Sequence, residues 1–65
     1  MISYGKLWKK LIDLNMKRKD LKEATGIGST TMTKLNKDEP VSMEVIIKIC
    51  VALQCNIGDV MDVNL

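Results

Sequence analysis

Apolar residues recur at helical spacing in five stretches of the chain. In residues 3–15, SYGKLWKKLIDLN, the apolar positions Tyr4, Leu7, Trp8, Leu11 and Ile12 return every three or four residues. That period places them on one face of a helix. Ser3 is a fair N-cap, and Asn15 suits the exit turn. Lys6, Lys9, Lys10 and Asp13 fall on the wet side. Met16 follows and is expected to pack under a second helix, about Lys17 to Thr25, whose Leu21 and Ala24 lie three apart. Gly26 stops that helix, since glycine adopts the left-handed conformation of a helix end at little cost. Ile27 is a lone apolar plug. A third helix, about Ser29 to Leu35 or Lys37, buries Met32 and Leu35 with Ile27. Pro40 ends the next loop and prevents continuation. Ser42 caps a fourth helix with Val45, Ile46, Ile49, Cys50 and Leu53 as its buried stripe, and Glu44 in its first turn suits the helix dipole. Asn56 caps a fifth, Ile57 to about Val63, with Ile57, Val60 and Met61 facing inward.

The pattern therefore predicts an all-α fold of five helices in one domain, residues 1–65. Its organising stretch is KRKDLKEATGIGSTTMTKLNK, residues 17–37. Two short helices meet there at a glycine, and the second carries Ser29, Thr30, Thr33, Lys34 and Lys37 on its free face. This stretch resembles the helix-turn-helix of the Cro/repressor type, also called lambda-repressor-like or XRE-type. The family pattern places Leu, Ala, Gly, an apolar residue and Ser at fixed offsets, here Leu21, Ala24, Gly26, Ile27 and Ser29, and closes on Met32. Two positions depart from it. Lys22 stands where a small alanine is usual, and Gly28 where Ser or Thr usually caps the recognition helix. Further on, Gln54 occupies a place where a helix-ending glycine is common, so that turn is expected to carry slight strain.

Composition narrows the alternatives. The apolar fraction of 46% is too high for a disordered tail. Tyr4 and Trp8 are the only aromatics, so the core must be built from Leu, Ile, Val and Met. No run approaches the roughly 20 apolar residues of a membrane span. Charges at Lys6, Lys9, Lys10 and Asp13 interrupt the N-terminal stretch and argue against a secretory signal, so a cytoplasmic location is expected. Cys50 and Cys55 sit at apolar positions around a helix end and read as reduced, buried thiols. There is no histidine. Ser–His and Cys–His nucleophilic arrangements are therefore absent, and two cysteines alone make no zinc site. Gly26 and Gly28 lack the preceding strand and the Gly-Lys-Ser/Thr of a phosphate loop. No enzyme, cofactor or metal is expected, and no small-molecule effector pocket is visible.

The net charge is only +2, but it is unevenly spread. Residues 1–37 hold nine Lys or Arg against three acids, a balance of +6. Residues 38–65 hold Lys48 against five acids, a balance of −4. A basic half suggests one face turned to a polyanion. Charge alone fits a solvated surface equally well. Lys17, Arg18 and Lys19 crowd the start of the second helix, where cations oppose the dipole by a few tenths of a kcal/mol each. A phosphate lying across that helix end would compensate.

The resemblance implies sequence-specific binding of double-stranded DNA by a bacterial transcriptional regulator, expected to be a repressor. By that likeness the helix from Ser29 enters the major groove, with Ser29, Thr30 and Lys34 at base-reading positions. Arg18, Thr31 and Thr33 map to positions contacting base or backbone. Lys17, Lys19 and Lys37 would hold phosphates. The protein is expected to act as a homodimer on DNA, pairing through Val60, Val63 and Leu65. The short side chains of Gly28, Ser29 and Thr30 keep open a second reading, a helix-turn-helix interaction module without DNA binding. The basic first helix with its Trp leaves a peripheral membrane role as a third.

Overall fold

Four amphipathic segments become α-helices in the computed structural model, which describes residues 1–65. In chain order the elements are β1 (Ile2–Ser3), α1 (Gly5–Asp13), α2 (Arg18–Thr25), α3 (Ser29–Asn36), α4 (Met43–Leu53), a 3-10 turn (Ile57–Asp59) and β2 (Asp62–Val63). No helix is long and apolar enough to cross a membrane. One core of eleven buried side chains joins them: Tyr4, Leu7 and Leu11 from α1 and its approach, Leu21 from α2, Ile27, Met32 and Leu35 around α3, Ile46, Ile49 and Leu53 from α4, and Val60. The largely helical class expected from the sequence holds.

The fifth helix is the main difference. Asn56 N–H is accepted by Asp59 Oδ2 at 2.9 Å, which starts a turn of only three residues. The chain then extends. β2 pairs antiparallel with β1, Ile2 opposite Val63 and Ser3 opposite Asp62. Asn64 N–H donates to Met1 C=O at 2.7 Å, and Lys6 reaches both Asp62, at 3.0 Å, and the Gly58 carbonyl, at 3.2 Å. β-Branched Val63 suits an extended strand better than a short helix. Val60 is fully buried in the core and cannot meet a partner chain, whereas Val63 and Leu65 are exposed.

Smaller differences follow from local hydrogen bonding. Ser3 does not cap α1. Its Oγ accepts the Gly5 N–H at 3.2 Å, and the helix opens at Gly5 behind Tyr4. Ile12 is 77% exposed and Ala24 is also exposed, so neither belongs to the core. Trp8, Val45, Cys50 and Met61 are half-buried and packed against the core, and Ile57 is exposed. Cys50 and Cys55 are free, half-buried thiols.

Three helix ends turn through residues of positive φ. Gly26 takes φ +73 and closes α2 with its N–H on the Lys22 carbonyl at 2.9 Å. Asp38 takes φ +55 after α3, and its carboxylate accepts the Tyr4 N–H at 2.9 Å while Tyr4 Oη donates to the Glu39 carbonyl at 2.9 Å. Burial around Tyr4 pushes its phenol above the ordinary tyrosine range. These bonds tie the end of α3 to the start of α1. Gln54 takes φ +54 and ψ +55 at the end of α4, a left-handed conformation that a side chain disfavours. Gln54→Gly is expected to stabilise the fold by about 0.5–1 kcal/mol, the relieved strain being partly offset by the entropy glycine adds to the unfolded chain. In a domain this small that raises Tm by roughly 4–8 °C per kcal/mol, measurable by thermal unfolding.

Candidate nucleic-acid interface

The free face of α3 is built by what its other face buries. Met32 and Leu35 point into the core, so Ser29, Thr30, Thr33, Lys34, Asn36 and Lys37 are left exposed. At roughly 100° per residue, Thr30 and Lys37 stand opposite the buried side, Thr33 and Lys34 lie to either side of them, and Ser29 lies nearer the edge. Thr33 is exposed to one side of that centre, and Thr31 is half-buried on the core side. Thr33 Oγ1 donates to the Ser29 carbonyl at 3.0 Å. Its hydroxyl hydrogen is thus spent inside the helix, and the side chain offers a methyl group and a lone pair outward. Gly28 precedes α3 in extended conformation and supplies no side-chain cap.

α2 lies across the start of α3 and is fastened to it by polar bonds. Lys22 Nζ donates to Ser29 Oγ at 2.7 Å. That lysine replaces the alanine usual at its position, and its ammonium lands beside the first residue of α3. Thr25 Oγ1 donates to the Leu21 carbonyl at 2.7 Å and accepts the Ile27 N–H at 3.4 Å, which fixes the turn between the helices. Lys17 has no acceptor with which to cap α2, but the reverse arm exists. Asp20 Oδ2 accepts the Lys17 N–H at 2.8 Å and places one acid among the three cations.

Arg18 is the most constrained of the expected contacts. Its guanidinium stacks over the Trp8 ring, 3.9 Å from the centroid, and Nη1 donates to Asn36 Oδ1. α1, α2 and α3 thus converge on one arginine. Cation–π stacking leaves the edge N–H groups of the fork free to bond elsewhere. The ion pairs of the chain are Lys6–Asp62 and Lys48–Glu44. Lys17, Arg18, Lys19, Lys34 and Lys37 have no carboxylate within ion-pair distance, so this side carries uncompensated positive charge. Trp8, Lys22 and Asn36 were not among the site residues expected from the sequence. Only Lys22 gave a local signal, as a long cation in a small residue's place. The Arg18 contacts join residues ten and eighteen positions away and have no pattern to reveal them.

Two short helices crossing at a left-handed glycine, the second with a polar, partly basic free face, define a helix-turn-helix domain of the DNA-binding kind. The chain belongs to the Cro/C1-type HTH DNA-binding domain family, whose model matches residues 6–64. Among solved structures it is similar to the transcriptional regulator VanUg. The two are 48% identical and superpose with a TM-score of 0.92 over 94% of this chain and 81% of that one. No curated protein matches the chain.

Proposed function

We propose that this protein is a sequence-specific regulator of transcription, a repressor that reads the major groove of double-stranded DNA with α3. Ser29, Thr30 and Lys34 meet base edges, Arg18, Thr31 and Thr33 meet base or backbone, and Lys17, Lys19 and Lys37 meet phosphates. The observation that carries the reading is the junction of α2 with the free side of α3: Arg18, stacked on Trp8, bonds Asn36, and Lys22 bonds Ser29, which sets two cations of α2 beside that face. Phosphate contacts from α2 set the register and α3 chooses the sequence. Thr31, being half-buried, is the weakest of these contacts. One short helix reads only a few base pairs, so two copies on inverted half-sites about one helical turn apart supply the specificity. Bound over a promoter, such a dimer represses by excluding polymerase.

Lys34 tests this assignment. Ser29 and Thr30 are short, and Lys34 is the long donor of the α3 face before Lys37. If it reaches a guanine edge, Lys34→Ala costs about 1–3 kcal/mol on the preferred site, less on random duplex, and relaxes preference at one position of each half-site. If it meets phosphate, the loss is uniform across sequences and the salt slope falls by about one per monomer. Quantitative binding to both duplexes separates the two. Unchanged affinity, preference and salt slope would show that this face does not read DNA.

A further inference from the structure

The outer side of α4 is apolar where a surface helix should be polar. Ile46, Ile49 and Leu53 face the core, and half-buried Val45 and Cys50 flank them. Met43, Ile47 and Val51 are spaced four apart on a second stripe and are 61%, 57% and 72% exposed. The two stripes join, so apolar residues cover roughly 240° of the helix circumference, far more than the core of this domain can bury. Only Glu44, Lys48 and Ala52 occupy the remainder, and Glu44 and Lys48 are paired with each other at 3.6 Å. Between α4 and the 3-10 turn runs a groove of about 570 Å³ whose walls include Ile47, Cys50, Val51, Cys55 and Ile57. Burial pushes the Cys50 thiol up, and the neighbouring Cys55 adds to the shift, which keeps the groove uncharged.

We propose that a second copy of this chain docks on this face, ridge of Met43, Ile47 and Val51 into groove, across a two-fold axis. The proposal rests on the reading of a dimer on inverted half-sites and says where that dimer meets. Three features select a second copy. A ridge beside a groove on one patch is self-complementary, as an isologous contact requires. The charges bordering the patch are matched or acidic, with Glu44 and Lys48 on one side and Asp59 on the other, so neither DNA nor an anionic lipid surface is attracted to it. The area also fits. The exposed side chains of Met43, Ile47, Val51 and Ile57 present on the order of 400 Å² per copy, so pairing buries roughly 800 Å² before the rim is added. That lies below the roughly 1,200 Å² of stable specific interfaces, in the range of weak, transient ones, and describes a weak dimer, free to separate in solution and completed on DNA.

The test is sedimentation equilibrium of the full chain without DNA, up to about 1 mM. Wild type should show a reversible monomer–dimer equilibrium that salt leaves unchanged or strengthens. Ile47→Glu and Val51→Glu, both on the exposed side, should weaken it about tenfold or more by placing a charge in an apolar contact. In parallel, amide shifts of the wild type on dilution should map to α4 and Ile57, a readout that needs no variant. A wild type monomeric at about 1 mM, or dilution shifts at Val63 and Leu65, would overturn the proposal. So would variants that fold and dimerise as wild type does, or an α4 face that binds anionic vesicles as a monomer. DNA binding is scored separately. If wild type dimerises through α4 but binds no duplex, the dimer stands and the regulatory reading fails. If the variants keep salt-dependent duplex binding and still prefer paired half-sites as wild type does, the docking surface fails and that reading stands.

Discussion

Leu21→Ala is expected to leave most of the chain unfolded at room temperature. Leu21 is fully buried in the core, on the helix that packs against α4. Its removal deletes three carbons and leaves a cavity that helices pinned at Gly26 and Asp38 cannot collapse. Such truncations cost about 2–5 kcal/mol. A core of eleven side chains in 65 residues supplies only a few kcal/mol of net stability, so one such cavity consumes most of it. Met32→Ala acts by the same mechanism with a smaller loss, since Met32 is 9% exposed and its site opens toward solvent. Helical circular dichroism and urea titration read both. An unchanged melting temperature in Leu21→Ala would contradict the placement of the helix-turn-helix core.

The second large effect is on affinity. With about four phosphates met by each of two monomers, log K should fall against log salt with a slope of roughly −7. Between about 50 and 200 mM salt, affinity then drops by about four orders of magnitude. The uncompensated cations Lys17, Arg18, Lys19, Lys34 and Lys37 supply the charge. Self-association through α4 should move little or in the opposite direction over the same range, because its face is uncharged. A titration of duplex binding by fluorescence anisotropy at several salt concentrations measures the slope. Affinity flat across that range would remove the nucleic-acid reading.

The parts of the fold legible in the sequence are those set by neighbours in the chain. Gly26 announced the end of α2 because few other residues take φ +73 cheaply, and the spacing of Leu21, Ile27, Met32 and Leu35 placed two helices around it. Ser42 capped α4 as expected, its Oγ accepting the Val45 N–H at 3.3 Å. What the pattern hid was made by distant pairings. β1 and β2 join the two ends of the chain, and two-residue strands have no period to detect. Val60 was read both as inward-facing and as a partner contact, and its full burial leaves only the first. On α3 the exposed residues were legible, since they are what Met32 and Leu35 leave over. The clasp on Arg18 was not, because Trp8 and Asn36 meet it only in the fold. α4 misled differently. Its buried stripe was read as Val45, Ile46, Ile49, Cys50 and Leu53, while Ile47 and Val51 stood in the same run and marked a second, exposed face.

Selection of bound sequences from a random duplex pool tests the central claim most directly, because it assumes neither a site nor a contact residue. The full chain should enrich an inverted repeat, with half-sites of a few base pairs centred about one helical turn apart. Lys34→Ala should enrich the same repeat with one position per half-site relaxed. A pool that remains random after repeated rounds at moderate salt, while the protein is folded, would contradict the account.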